Sequence, residues 1–330
     1  PDRRLRVGFV SPDLGRHPVG FFVIGVFDHL SKEEVETIVY SDRNPDDLTN
    51  RIRATIDEWN DTKDLSDQAL ADKILNDNID ILFDLTGHSA KNRLMAFARK
   101  PAPIQISWAG YAGTTGLSAM DYFISDPVST RKGEECFFSE RVIRMPDSFV
   151  CFSPPNYAPD VGPSPHEKNK HITFCSFSNP AKINDQVLLI WSRILNSVSN
   201  SRLVIKYIGI DSYANKTRVW EKFKTAKVDS SRLILEGGAP HIDMLGRYND
   251  VDIALDTFPY SGGITTTEAL WMGVPVITLP GATFASRHSV SFLTSLGLPE
   301  LVARTQNEYV NLALNLANDI DRLGELRSTL

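Results

Sequence analysis

Short apolar runs that end in a polar or glycine-bearing loop, each followed by a helical stretch, recur along this chain. No other feature restricts its fold as much. Leu5-Arg6-Val7-Gly8-Phe9-Val10-Ser11 is the first run. Ile79-Asp80-Ile81-Leu82-Phe83-Asp84-Leu85 is a second, closed by Thr86-Gly87-His88. Runs this short and this apolar read as buried strands. Residues 35–40, 104–108 and 122–125 add further strands. Residues 19–30 and 90–99 read as helices, and acidic, polar helical segments fill 46–76. Strands alternating with helices imply βαβ units and a parallel sheet.

The alternation pauses once. Residues 153–165 hold five prolines, at 154, 155, 159, 163 and 165. Proline is excluded from helix and sheet interiors, so this stretch reads as a linker. Beyond it the pattern restarts, with strands at 171–177, 202–208, 232–235, 252–256 and 274–279. The helices between and after them fall at 184–196, 218–227, 241–249, 265–272 and 284–296. The 330 residues suit two domains of ordinary size. We therefore expect two α/β domains, residues 1–160 and 161–330.

Composition excludes several classes. At 42% hydrophobic and 23% charged residues the chain is not disordered, collagenous or a coiled coil. A net charge of -6 argues against nucleic acid as the main partner. No apolar stretch approaches the length of a membrane helix, and Pro1-Asp2-Arg3-Arg4 leads into a strand-like run instead of a signal peptide. Cys136, Cys151 and Cys175 are too few and too scattered for a disulfide framework or a zinc site. A cytoplasmic setting is expected.

The richest chemistry lies in Leu255-Asp256-Thr257-Phe258-Pro259-Tyr260-Ser261-Gly262-Gly263-Ile264-Thr265-Thr266-Thr267-Glu268. A glycine pair and three threonines stand between a strand and a helix. Open parallel sheets bind ligands at the carboxyl ends of their strands. A helix N-terminus there offers free N–H groups and a positive dipole end to a phosphate. Glu268, one turn into the helix, can accept from a ribose diol. The same residues also suit an ordinary capped helix with Glu268 as capping-box partner. Behind the acid, Glu268-Ala269-Leu270-Trp271-Met272-Gly273-Val274-Pro275 resembles the nucleotide-sugar site of glycosyltransferases of the GT-B architecture.

Lys182 follows the first strand of the second half, where a point charge can meet a phosphate, although a lone loop lysine is more often solvated. Asn179 can bond a sugar hydroxyl or a phosphate oxygen. In the first half His17 and His88 each follow a strand and can act as hydrogen-bond partners or bases. No His/Cys/carboxylate cluster points to a metal.

Taken together, "RVGFVSPDLGRHP", "DLTGH", "RKPAPIQISWAGYAGTTG", "MDYFISD", "FCSFSNPAKI" and "LDTFPYSGGITTTEALWMGVPVITLPG" resemble the catalytic region of the nucleocytoplasmic protein O-glycosyltransferases, the O-GlcNAc transferase and SPINDLY family. The resemblance spans nearly the whole chain. It implies a GT-B glycosyltransferase fold with two facing Rossmann-like domains, the nucleotide sugar on the second and the acceptor side on the first. It implies an inverting transfer from a nucleotide sugar to Ser or Thr hydroxyls of a polypeptide, without cofactor or metal. By position, His17 matches the family's active-site histidine and Lys182 the lysine on the donor diphosphate. Asn179 stands where O-GlcNAc transferases have Gln. Ala239, Pro240 and His241 match the base-contacting segment, and Arg247 a basic residue on the following helix. Gly263, Ile264 and Thr265 match a diphosphate-binding stretch, and Glu268 the acid on the ribose. His241, Met244, Gly263 and Ile264 depart from O-GlcNAc transferases, and several motifs look nearer to SPINDLY. The donor is therefore UDP-GlcNAc or, as in a protein O-fucosyltransferase, GDP-fucose. A sugar-nucleotide epimerase and a non-catalytic binding module are the other readings. The resemblance further implies a tetratricopeptide-repeat region upstream in the full-length protein.

Overall fold

The computed structural model describes residues 3–330. Pro1 and Asp2, part of the amino terminus read above as leading into a strand, lie outside them. The chain divides into two compact units, one ending at Ser153 and the other beginning at Pro154. The division falls at the first prolines of the linker.

In the first unit the strands are β1 (Leu5–Val10), β2 (Val35–Ser41), β3 (Glu58–Asp61), β4 (Ile81–Asp84), β5 (Ile104–Ser107), β6 (Tyr122–Ser125) and β7 (Arg141–Arg144). They form a seven-stranded sheet in the order β3-β2-β1-β4-β5-β6-β7. Every pairing is parallel. Val7 pairs with Thr37 on one side and Ile81 on the other, which makes β1 an interior strand. Parallel neighbours need crossovers. The helices are α1 (Pro18–His29), α2 (Asp47–Thr55), α3 (Asp67–Asn76) and the single turn α4 (Leu94–Phe97). One core cluster packs Val10, Ile38 and Leu82 of the sheet against Leu70, Ile74 and Phe97 of the helices. Apolar burial of this kind is worth roughly 25 cal/mol per Å².

The second unit opens with the short helix α5 (Pro165–Asn169). Its strands are β8 (Ile172–Ser176), β9 (Ser201–Lys206), β10 (Leu233–Glu236), β11 (Ile253–Leu255) and β12 (Val276–Ile277). They form a five-stranded parallel sheet in the order β10-β9-β8-β11-β12. Around it lie α6 (Asp185–Ser197), α7 (Tyr213–Thr225), α8 (His241–Gly246), α9 (Ile264–Trp271), α10 (His288–Ser295), α11 (Gln306–Asn318) and α12 (Ile320–Thr329). The expected fold class, two Rossmann-like α/β domains with parallel sheets, is what the chain adopts. Among the described residues, no helix is long and apolar enough to cross a membrane.

Several local expectations need correction. The 46–76 segment is not all helical, because β3 interrupts it. Asp57 accepts from the Thr37 N–H at 2.8 Å and its hydroxyl at 3.0 Å, which ties the chain to β2. An edge strand tolerates polar side chains, so Glu58-Trp59-Asn60-Asp61 carries no apolar signature. β7 escaped for the same reason. The helix expected at 90–99 shrinks to α4. Lys91 takes a left-handed φ of 59°, and Asn92 accepts from the Leu94 N–H at 3.2 Å, so the helix starts late. The helix expected at 284–296 breaks at Arg287, whose buried guanidinium turns back to the Ala282 carbonyl at 2.6 Å.

Candidate active site

The loop after β11 is organised by one buried carboxylate. Asp256 accepts from the N–H of Thr257 at 2.8 Å, the N–H of Gly262 at 2.7 Å and the hydroxyl of Thr278 at 2.7 Å. Burial raises its pKa above the ordinary carboxylate value, while the Thr278 and Ser289 hydroxyls, the Gly262 N–H and the Lys182 charge oppose the rise. Its backbone carbonyl accepts from the Tyr309 hydroxyl of α11 at 2.9 Å. Asp256 thereby fixes the path by which the chain reaches α9.

That path leaves donors exposed. Gly263 is the N-cap of α9 and no side chain caps the helix. The Gly263 carbonyl takes the N–H groups of Thr266 and Thr267 at 3.0 and 3.2 Å. Among the described residues, the N–H groups of Gly263, Ile264 and Thr265 have no acceptor. The two glycines differ. A Cβ on Gly262 would stand 2.3 Å from the Thr266 hydroxyl, whereas on Gly263 it would meet nothing within 4 Å. Gly262 is demanded by packing, and Gly263 borders open space.

Lys182 reaches this loop. The sequence turns sharply after β8: Asn179 accepts from the Ala181 N–H at 3.0 Å and caps a single 3-10 turn, Pro180–Lys182. The Lys182 ammonium donates to the Ser261 carbonyl at 2.8 Å and lies 4.0 Å from the centre of the Tyr260 ring. Burial lowers its pKa to about 8, with Asp256 opposing. A desolvated ammonium one residue from the glycine pair adds a mobile charge to the fixed N–H groups.

Glu268 does not serve as a capping-box partner. It is buried, and its Oε1 lies 2.7 Å from Nε2 of His241. The expected ribose acid and the expected base-contacting residue are thus in direct contact. The Tyr248 hydroxyl donates to the Thr265 carbonyl at 3.0 Å and steadies the first turn of α9. Ala239 is exposed beside the start of α8, where Pro240 is the N-cap, and Met244 is half-buried on that helix. Arg247 is committed elsewhere, to Glu236 at 2.8 Å and Asp250 at 3.0 Å.

The two histidines of the first unit hold different hydrogen bonds. His17 is the N-cap of α1, and its Nδ1 accepts from the Val19 N–H at 3.3 Å. A neutral His17 therefore carries its proton on Nε2, which faces Asp13 at 3.8 Å. Burial lowers its pKa, Asp13 opposes the shift and Arg43 adds to it. His88 is exposed, and its Nε2 meets the Thr115 carbonyl at 2.9 Å. A carbonyl only accepts, so Nε2 bears the proton and Nδ1 of a neutral His88 keeps its lone pair. The buried Asp84 holds the preceding turn by accepting from the N–H groups of Thr86 and Gly87 at 3.0 and 2.9 Å.

Sequence reasoning missed three residues that pack this site, Asp256, Tyr248 and Tyr260. Asp256 had a readable signal, an acid at the end of a strand before a glycine loop. The tyrosines had none, since their partners are distant in sequence.

Comparison with known proteins identifies the family. The profile of glycosyl transferase family 41 matches residues 1–153 and 166–330. A probable UDP-N-acetylglucosamine--peptide N-acetylglucosaminyltransferase SPINDLY of Hordeum vulgare is 40% identical over 338 residues, covering 100% of this chain and 36% of that protein. The chain thus spans little more than a third of the curated relative's length. A mutant O-GlcNAc transferase of Thermobaculum terrenum superposes with a TM-score of 0.95 at 40% identity, over 99% of this chain and 62% of that one. A putative UDP-N-acetylglucosamine 2-epimerase of Listeria monocytogenes, at 13% identity and a TM-score of 0.52 over 99% of this chain and 91% of that one, shares the fold alone.

Proposed function

This chain belongs to glycosyl transferase family 41, and from that premise we propose that it is the catalytic part of a protein O-glycosyltransferase. Its donor is a nucleotide sugar, UDP-GlcNAc before GDP-fucose, and its acceptor a Ser or Thr hydroxyl of a polypeptide. The observation that carries this reading is the meeting of Lys182 with the uncapped start of α9 on one loop. Two sources of positive potential converge there, and a diphosphate is the ligand that needs both.

In this reading the N–H groups of Gly263, Ile264 and Thr265 and the Lys182 ammonium hold the diphosphate. Glu268 bonds the ribose with its second carboxylate oxygen while its first stays on His241. Asn179 and the Ala239–Pro240–His241 segment border the sugar and the base. The acceptor oxygen attacks the anomeric carbon as the bond to the diphosphate breaks, which inverts that centre. The leaving diphosphate gains charge, and the positive groups stabilise it in place, without reorganisation. The hydroxyl proton passes to a base. Nδ1 of His88 is an acceptor with no partner among the described residues, whereas His17 spends its Nδ1 on the helix cap and offers Nε2–H as a donor. His88 is then the proton acceptor, and His17 orients donor or acceptor. Peptide capture by a repeat region outside this chain belongs to the same proposal.

The test is incubation with UDP-GlcNAc or GDP-fucose and Ser/Thr peptides, read by peptide mass and by free sugar released. A modified peptide with one donor is the expected result. Free epimerised sugar without peptide product would favour the epimerase, and the absence of binding by either nucleotide would remove the diphosphate assignment.

A further inference from the structure

The proline-rich segment reads as a linker in the sequence, yet it is fastened to the second unit. The Asp160 carbonyl accepts from the Asn249 side chain at 2.9 Å, and the Gly162 N–H donates to Asn249 Oδ1 at 2.7 Å. Arg327 of α12 donates to the Gly162 carbonyl at 2.8 Å and to Asn249 Oδ1 at 2.9 Å. Ahead of these clips, the Ala158 N–H closes a turn on the Pro155 carbonyl at 2.9 Å. Proline on either side restricts the backbone of this turn. Tyr157 stands in it.

The Tyr157 hydroxyl lies 2.8 Å from Nδ1 of His241, 84 residues away, and the two rings meet edge-on with centroids 5.8 Å apart. The other nitrogen of that imidazole faces Glu268. An ionised carboxylate only accepts, so Nε2 carries a proton. In neutral His241 that leaves a lone pair on Nδ1, and a phenol is the donor that fits it. The chain runs from the Tyr157 O–H to Nδ1 and from Nε2–H to Glu268. Glu268 fixes the tautomer, and the phenol holds the ring at its other nitrogen.

We infer that Tyr157 is a positioning residue of the nucleotide site, acting through His241 to hold Glu268 and the base-side segment in their binding geometry. The inference rests on the proposed nucleotide-sugar reading and deepens it. Without the hydroxyl, Nδ1 loses its donor, and the imidazole, held by Glu268 through Nε2 alone, can rotate. Glu268 then loses a fixed partner on one oxygen, and a ribose has to order the carboxylate as it binds.

The experiment compares the full chain with Tyr157→Phe, His241→Ala and the double variant. Affinity for UDP and for GDP is measured by calorimetry, and the His241 ring nitrogens are followed by 15N NMR. Tyr157→Phe should weaken the preferred nucleotide about three- to ten-fold, the effect of one lost hydrogen bond. It should add nothing in the His241→Ala background, because the residue acts through that ring. The Nδ1 resonance should shift as it loses the phenol donor, while Nε2 keeps its proton on Glu268. Unchanged affinity with an unchanged ring spectrum would overturn the inference, as would an equal weakening in the His241→Ala background. If neither nucleotide binds the unaltered chain, the nucleotide-sugar reading fails, and the Nδ1 resonance of Tyr157→Phe still decides whether the hydroxyl holds the His241 ring.

Discussion

The Lys182 ammonium donates to the Ser261 carbonyl at 2.8 Å across a sequence separation of 79 residues. Ser261 immediately precedes the glycine pair, so this bond ties the end of β8 to the loop that opens α9. It also parks a positive charge where, among the described residues, no side-chain carboxylate forms an ion pair with it.

Removing that charge should cost activity and spare the fold. Lys182→Ala is expected to lower turnover by a factor of 10²–10³, roughly the 2.7–4 kcal/mol attributed to a single donor aimed at developing charge. Steady-state kinetics beside a thermal melt check this. Turnover within a factor of about three of the parent, the scale of one weak hydrogen bond, would take Lys182 out of the mechanism.

The same lysine sets a pH dependence. Burial lowers its pKa to about 8, so it is charged below that pH and loses its proton above it. Donor affinity should be full at neutral pH and fall as pH rises through about 8. Bound diphosphate favours the charged form, so kcat/KM should decline at lower pH than kcat. Lys182→Arg stays charged and should lose this alkaline limb. A limb that persists in that variant belongs to another group.

Gly262 and Gly263 should respond differently to a methyl group. Thr266, which a Cβ on Gly262 would strike, is itself bonded to the Ser289 hydroxyl at 2.8 Å, so it cannot simply turn away. Gly262→Ala should cost about 1–3 kcal/mol of stability through overpacking. Gly263→Ala meets open space and should stay within about 0.5 kcal/mol of the parent, yet weaken UDP or GDP binding. Melting curves and calorimetry separate the two effects, and equal destabilisation would contradict the assignment.

His17 combines a cap with its proposed contact. His17→Ala should lose about 1 kcal/mol of stability, since α1 loses its side-chain acceptor. His17→Asn supplies a capping oxygen, so it should recover that stability without recovering transfer activity. His88→Ala should lower kcat with little change in donor affinity. A full recovery of transfer in His17→Asn would reduce His17 to a helix cap.

Much of the fold was legible because parallel strands are buried on both faces and read as apolar runs. β1 and β4 announced themselves in that way. The edge strands β3 and β7 did not, since one side of an edge strand meets solvent and polar residues are tolerated there. α11 and α12 drew no expectation from the sequence, although α11 supplies the Tyr309 hydroxyl that holds the Asp256 carbonyl.

The site was legible to a similar depth. Lys182, Glu268 and the Gly263–Thr265 stretch stood out because each occupies the end of a strand or the first turn of a helix, positions that local pattern reveals. Their hydrogen-bond partners did not stand out. Arg247 looked available for a ligand and is held by Glu236 and Asp250. Glu268 suited a capping box and is bonded to His241 instead.

The sequence by itself determined two parallel α/β halves, the proline-rich stretch between them and a glycine-threonine turn before a helix. Periodicity and turn chemistry are local, acting over a few residues, and they survive in a one-dimensional reading. Only the tertiary structure decided that Tyr157 meets His241, that His241 meets Glu268 and that Lys182 lies over Tyr260. Three of these residues, Lys182, His241 and Glu268, were already singled out in the sequence. Their pairing was not, because a parallel sheet brings strand ends together through crossovers, and which side chains then touch depends on packing across the whole domain.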